Sequence, residues 1–145
     1  MTPYELAYEY VMHTNRSIFL TGKAGTGKTT LLRKLRVECP KQMMVVAPTG
    51  VAAINAEGVT IHSLFQLPPQ LFLPTPIERK KLFAEMQMRR PKQRLLRNLE
   101  LLVIDEISMV RADLLDTIDY ALRKYRRNSK PFGGVQLLLI GDLQQ

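Results

Sequence analysis

Cysteine and tryptophan are nearly missing from this sequence. Cys39 is the single cysteine, and no tryptophan is present. One cysteine cannot form an internal disulfide and excludes a cysteine-rich zinc site, so we expect Cys39 to be a small, half-buried apolar residue. Long apolar runs are also missing, although 46% of the residues are hydrophobic. The composition therefore predicts a soluble globular protein without a membrane-spanning helix.

Targeting signals and acidic residues are scarce as well. The N-terminus lacks the basic start and apolar stretch of a signal peptide, which predicts a cytoplasmic protein. Lysine and arginine outnumber aspartate and glutamate by 21 to 13, for a net charge of +8. This excess favours a polyanionic partner. Much of the positive charge lies between Arg79 and Arg97. A basic helical run of this kind is more often a solvated face than a binding surface.

Apolar runs of strand length alternate with helical patterns along the 145 residues, a length that suits one domain. Thr2, Pro3 and Glu5 form a helix start. Predicted strands cover residues 17–21, 43–47, 101–104 and 135–140, and predicted helices cover residues 3–13, 30–39 and 114–125. Four prolines predict a loop over 67–76, followed by a basic helix that Pro91 kinks or divides. The alternation indicates an α/β fold whose parallel sheet is covered by helices on both faces.

A glycine-rich motif follows the first predicted strand and precedes a predicted helix. Its residues, GKAGTGKT at 22–29, match the phosphate-binding P-loop pattern. In such a motif the glycines let backbone amides wrap the phosphates, Lys28 reaches the β and γ phosphates, and Thr29 offers its hydroxyl to Mg²⁺. The candidate ATP-binding residues are Gly22, Ala24, Gly25, Thr26, Gly27, Lys28, Thr29 and Thr30.

Two carboxylates end the buried strand predicted at 101–104. Asp105 and Glu106 stand where α/β sheets bind ligands, an arrangement known as a Walker B element. Asp105 is predicted to bind Mg²⁺ together with Thr29, and Glu106 to orient and deprotonate the attacking water. The alternative for Asp105 is a cap on the strand end.

With both motifs placed, the sequence resembles the petite-integration-frequency family of superfamily-one helicases, relatives of the RecD-type motors. The likeness rests on SIFLTGKAGTGKTT, on APTGVAAINAEGVTIHSLFQLP at 47–68, on LLVIDEISMV at 101–110 and on KPFGGVQLLLIGDLQQ at 130–145. It implies that residues 1–145 are the N-terminal RecA-like domain of an ATP-dependent helicase that moves 5′ to 3′ on single-stranded DNA. It also places the strand at 135–140 between the other two motif-bearing strands.

The resemblance assigns further residues. Gln145 corresponds to the family's nucleotide-sensing glutamine, and Gln144 is its neighbour. Thr49, Gly50, His62, Ser63 and Phe65 fall in segments that the family uses along single-stranded DNA, where the ring of Phe65 suits base stacking. Each of three has an alternative: Thr49 as a turn former, His62 as a core histidine and Phe65 as a core residue.

The sequence departs from the family pattern in two places. Glu5 occupies the position of a glutamine that reads adenine in the family, which leaves the base preference open. The chain also ends at Gln145, so we expect a second RecA-like domain and its arginine finger to lie outside it. The isolated chain, expected to be a monomer, is therefore predicted to hydrolyse ATP poorly and to unwind nothing.

Two other functions fit parts of the pattern. A P-loop kinase would transfer the γ-phosphate to a small acceptor, but Glu106 directly after Asp105 favours hydrolysis. A nucleotide-dependent module would clamp DNA without translocating. For the helicase, the resemblance implies a role in DNA repair, recombination or replication.

Overall fold

The computed structural model describes residues 1–22, 26–67, 77–78 and 88–141. In chain order the helices and strands are α1 (Pro3–His13), β1 (Ile18–Thr21), α2 (Thr26–Glu38), β2 (Met43–Ala47), α3 (Gly50–Asn55), β3 (Val59–Thr60), α4 (Ile61–Leu64), α5 (Arg90–Asn98), β4 (Leu101–Ile104), α6 (Ala112–Arg126) and β5 (Gln136–Gly141). Short 3₁₀ turns at Ile107–Met109 and Pro131–Gly134 precede α6 and β5. In this part of the chain no helix is long and apolar enough to cross a membrane.

The strands form one parallel sheet in the order β1-β5-β4-β2-β3. Leu20 of β1 pairs with Ile140 of β5, and Ile104 of β4 pairs with Leu139 of β5. The strand predicted at 135–140 therefore lies between the strands that carry the two motifs, as expected. All strands point the same way, so the loops that follow them meet at one edge of the sheet.

Apolar side chains cover both faces of the sheet. On β4, Leu101 and Val103 pack with α1 and α2, whereas Leu102 and Ile104 pack with α4, α5 and α6. These four residues are 0% exposed. Successive side chains of a strand point to opposite faces, so a run of apolar residues without alternation requires helices on both sides. The predicted α/β architecture is confirmed.

Several boundaries differ from the sequence-based expectation. Helix α2 begins at Thr26, four residues before the predicted start at Thr30. Pro91 lies in the first turn of α5, so it starts that helix instead of kinking it. Most of the loop predicted at 67–76, and the basic helix expected before Pro91, lie outside the described residues.

One half-buried arginine holds α5 against α6. The Arg126 guanidinium donates hydrogen bonds to the carbonyl oxygens of Leu96, Arg97 and Leu99 at the end of α5, and to that of Gly133. The last carbonyls of a helix lack the following helical amides that bond to earlier carbonyls, so Arg126 supplies donors at this end of α5. The Leu96 carbonyl also accepts from the Leu99 amide. Burial lowers the pKa of Arg126. The sequence contained no pattern that distinguished this arginine from its exposed neighbours.

Candidate nucleotide and nucleic-acid site

The carboxyl edge of the sheet gathers the predicted site residues. The P-loop motif follows β1, the two carboxylates follow β4, and β5 lies between them. On the other side of β4, residues 48–50 follow β2 and residues 61–63 follow β3. The sheet order therefore puts the nucleotide candidates at one end of this edge and the DNA candidates at the other.

The described part of the P-loop motif is Gly22 and the segment from Thr26 onward. Gly27, Lys28 and Thr29 lie in the first turns of α2, so their backbone amides belong to a helix N-terminus. Free amides and the helix dipole make this end of a helix attractive to phosphate. Thr29 and Thr30 are exposed there. Ala24 and Gly25 lie outside the described residues, and their predicted contacts stay predictions.

Lys28 and Asp105 form an ion pair across the top of β5. The Lys28 ammonium nitrogen lies 3.2 Å from one oxygen of the Asp105 carboxylate and 3.5 Å from the other. The Asp105 side chain is 2% exposed and that of Lys28 is 23% exposed. A buried carboxylate needs a partner because its desolvation is costly. The pair thus joins the two motifs that the sequence analysis had read separately.

The backbone around Asp105 fixes the position of Glu106. Asp105 donates its amide to the carbonyl of Val46 at 2.9 Å, and its carboxylate accepts from the Glu106 amide at 2.9 Å. Glu106 has φ 55° and ψ 46°, in the left-handed region that non-glycine residues rarely adopt. The chain turns sharply there and leaves the Glu106 side chain half-buried at the sheet edge. Such strain is found most often at functional sites.

Gly141 was not predicted as a site residue, yet it supports this turn. A Cβ built on Gly141 would lie 2.6 Å from Cγ2 of Ile107, closer than real side chains allow. Only glycine lets the end of β5 pack against the residue that follows Glu106. The predicted role of Gln145, and its neighbour Gln144, lie outside the described residues.

The oxygen atoms at this site suit Mg²⁺. The Asp105 carboxylate is buried and is held by Lys28 and the Glu106 amide, and Thr29 exposes its side chain in the first turns of α2. Mg²⁺ prefers carboxylate and hydroxyl oxygens together with water and phosphate. The residues present therefore fit the ion that the sequence analysis assigned to Thr29 and Asp105.

Two threonines shape the predicted DNA segments. The Thr49 hydroxyl accepts from the Ala52 amide at 3.2 Å and caps α3, and the Thr60 hydroxyl accepts from the Ser63 amide at 3.1 Å and caps α4. Ala47 and Thr60 are paired neighbours in the sheet, which brings the two short helices together. Gly50 begins α3 in open space, since a Cβ built there would meet nothing within 4 Å.

The structure corrects one of the DNA candidates. Phe65 is 1% exposed and packs in the core with Leu64 and Leu67. Its ring cannot stack on a base in this conformation, so the stacking prediction is wrong and the core alternative is confirmed. His62 is half-buried and Ser63 is exposed on the same short helix. Their predicted DNA contacts stay predictions.

A cavity of about 470 Å³ lies beside α2, next to the P-loop motif. It is lined by residues from the start of α1 and from α2, among them Tyr4, Glu5, Tyr8, Gly27 and Lys34. Another cavity, of about 730 Å³, opens at the amino edge of the sheet near Gln42 and Arg94 and contains none of the predicted site residues. Of these two cavities, the one beside α2 is the one lined by a residue of the P-loop motif, Gly27.

Comparison with known proteins identifies a family. A model described as PIF1-like helicase matches residues 3–145. The ATP-dependent DNA helicase PIF1 of Saccharomyces cerevisiae is 40% identical over 134 residues, which are 89% of this chain and 15% of the yeast protein. The human protein of the same name is 41% identical over 133 residues, 90% of this chain and 20% of its own length. The chain thus spans a fifth or less of these relatives.

Solved structures give the same fold. Bacteroides Pif1 bound to single-stranded DNA aligns with 47% identity and a TM-score of 0.85, covering 100% of this chain and 32% of that one. Bacteroides Pif1 in complex with ADP-AlF4 aligns with 45% identity and a TM-score of 0.84, again over 100% of this chain and 32% of the other. The arrangement of sheet and helices described above is therefore that of one part of these proteins.

Proposed function

The chain belongs to the PIF1-like helicase family, and we propose that it is the nucleotide-binding part of an ATP-dependent DNA helicase that moves 5′ to 3′ on single-stranded DNA. The observation that carries the proposal is the contact between Lys28 and Asp105 at the carboxyl edge of the sheet. It brings a phosphate-binding lysine and a buried carboxylate into one site, with Glu106 directly beside them. Relatives named as ATP-dependent DNA helicases support the assignment.

Each residue has a distinct role in the proposed reaction. Lys28 exchanges its Asp105 partner for the β and γ phosphates of ATP, and the amides at the start of α2 hold the same phosphates. Asp105 and Thr29 would then hold Mg²⁺, which neutralises phosphate charge in such reactions. The Glu106 carboxylate accepts a proton from the attacking water. Gln145, four residues after β5 in the sequence, is proposed to sense the γ-phosphate.

The DNA is proposed to lie over α3 and α4. Thr49, Gly50, His62 and Ser63 are the contact candidates, and Phe65 is no longer among them because its ring is buried. The Bacteroides relative described as bound to single-stranded DNA supports this partner. The net charge of +8 suits a polyanion as well. Cytoplasmic location and a monomeric state stay predictions.

The test uses the full-length protein that carries this chain. We expect single-stranded DNA to stimulate its ATPase activity strongly, and tailed duplexes to be separated only when the single-stranded tail has the polarity for 5′-to-3′ movement. Glu106→Gln should still bind nucleotide but lose turnover by a factor of 100 or more, on the order of a general-base contribution. If single-stranded DNA does not change the ATPase activity, a nucleotide-dependent module or a kinase would be the better assignment.

A further inference from the structure

Tyr4 lies against the P-loop motif, although nothing in the motif itself requires an aromatic neighbour. A Cβ built on Gly27 would lie 2.5 Å from Cδ2 and 2.7 Å from Cε2 of the Tyr4 ring. A Cβ built on Gly22 would lie 3.9 Å from the Tyr4 hydroxyl oxygen. The half-buried Tyr4 ring therefore packs against Gly27, and its hydroxyl lies close to Gly22.

Helix α1 is held so that Tyr4 stays in this place. Ala7 and Val11 are buried in the cluster that also contains Leu31 and Leu35 of α2. One turn after Tyr4, the Tyr8 hydroxyl donates a hydrogen bond to the Glu38 carboxylate. The Lys34 ammonium nitrogen lies 4.3 Å from the centre of the Tyr8 ring. Because residues four apart share one face of a helix, these contacts also direct Tyr4 toward the start of α2.

The start of α1 is fixed too. Thr2 caps the helix by accepting a hydrogen bond from the Glu5 amide at 3.1 Å, and Pro3 occupies the first turn. Tyr4 thus sits in a capped first turn instead of a frayed end. The position of its ring is therefore set by helix α1 and not by the P-loop motif.

Glycines lose more conformational freedom than other residues when they become ordered. Gly22 lies outside the helix and Gly27 lies in the first turn of α2, where helix ends fray, so both backbones lose freedom when phosphate binds to them. A ring that packs against Gly27, with its hydroxyl close to Gly22, restricts these backbones before the ligand arrives. Restriction of this kind raises affinity because less freedom remains to be lost on binding.

We propose that Tyr4 is a positioning residue for the phosphate-binding motif. Tyr4 acts through Gly27 and Gly22 and not by contact with the base. This inference rests on the proposed binding of ATP. The Tyr4 ring has a second possible role, because it also lines the cavity beside α2. A ring that holds the motif affects every ligand with a phosphate chain, whereas a ring that only lines the cavity affects ligands that carry a base.

The first test measures the affinity of the full-length protein for ATP and for inorganic triphosphate, which has no base. Tyr4→Leu should weaken both by the same factor, roughly tenfold, the equivalent of ordering about one residue of backbone. Tyr4→Phe keeps the ring and should retain most of the affinity. The matched control is Tyr10→Leu on the exposed side of the same helix, where Tyr10 is 40% exposed, and it should change neither affinity. A loss for ATP alone would overturn the proposal.

The second test uses the contact with Gly27 directly. Gly27→Ala places a methyl group against the Tyr4 ring and should weaken ATP binding. Tyr4→Ala removes the ring, so the double variant Gly27→Ala, Tyr4→Ala should bind ATP more tightly than Gly27→Ala alone. Coupling of this size is expected for residues in contact and not for distant, independent ones. If the double variant binds no better than Gly27→Ala, the proposed contact does not control the motif.

One further comparison distinguishes failure of this inference from failure of the proposed function. If Lys28→Ala binds ATP as tightly as the unmodified protein, the proposal that this motif binds nucleotide is wrong, and so is the proposed role of Tyr4. If Lys28→Ala loses ATP while Tyr4→Leu binds ATP and triphosphate normally, only the positioning role is wrong.

Discussion

Glu106→Gly is expected to stabilise the folded chain while it abolishes ATP hydrolysis. Glu106 has φ 55° and ψ 46°, a conformation that costs a residue with a Cβ roughly 1–2 kcal/mol. Glycine adopts it without that cost but brings an entropic penalty of roughly 0.5–1 kcal/mol. The net expectation is a gain of about 0–1.5 kcal/mol in the free energy of unfolding, centred near 0.75 kcal/mol, which corresponds to about 2–3 °C in Tm.

Glu106→Ala is the control for this prediction. It also removes the carboxylate but retains the Cβ and hence the strain, so it should be no more stable than the unmodified chain. Urea denaturation of the three chains gives the free energies, and ATPase assays of the full-length variants should show that both substitutions lose turnover. The reasoning is refuted if Glu106→Gly is as stable as Glu106→Ala or less stable, because the left-handed backbone would then carry no cost.

Three further predictions concern other parts of the edge and of α1. Gly50→Ala should leave the stability of the fold unchanged or slightly higher, since the added methyl group meets nothing within 4 Å. It should weaken single-stranded DNA binding several-fold in an anisotropy titration of the full-length protein. Unchanged affinity would show that Gly50 does not contact the DNA. Gly141→Ala should cost roughly 1–3 kcal/mol of stability through its clash with Ile107, and adding Ile107→Ala should recover part of it; no recovery would contradict the clash. The hydrogen bond to Glu38 raises the pKa of Tyr8 from 10.0 to about 12. The unmodified chain should therefore be more stable than Tyr8→Phe below pH 10, and this advantage should disappear as the pH rises to about 12. A constant difference in stability over that range would exclude the hydrogen bond.

Patterns in the sequence predicted the main elements because each has its own local signal. Residues 3–13, 43–47 and 101–104 matched α1, β2 and β4 at both ends, since a capping threonine marks the first and apolar runs with turn residues on either side mark the others. The start of α2 was placed too late because Gly27 was read as part of a loop. A glycine in the first helical turn is tolerated when buried leucines further along hold the helix against the sheet.

The short elements α3, β3 and α4 were not predicted. With six, two and four residues they are too short for any hydrophobic period to appear. A signal was present in Thr49 and Thr60, each of which caps a helix through the amide three residues later. Threonine is common in turns, however, so those positions alone do not distinguish a helix start from a turn.

The candidate site was predicted in its chemistry and not in its contacts. The motifs identified Lys28 and Asp105 separately, but their distance depends on how β1, β5 and β4 pair, which no local pattern contains. Gly141 and Tyr4 were missed for the same reason, because each acts by fitting against a residue distant in sequence. Phe65 was assigned to DNA through the family resemblance, and its packing decided for the core alternative that the sequence also allowed.

The central claim is that the carboxyl edge of this sheet binds ATP through Lys28. The most direct measurement is a titration of the chain with a fluorescent ATP analogue, made for the unmodified chain, for Lys28→Ala and for Lys130→Ala, whose exposed lysine precedes the opposite end of β5. We expect saturable binding for the unmodified chain and for Lys130→Ala, and an affinity lower by at least tenfold for Lys28→Ala, as for the loss of one hydrogen-bonded charge. Equal affinity for all three chains would contradict the account.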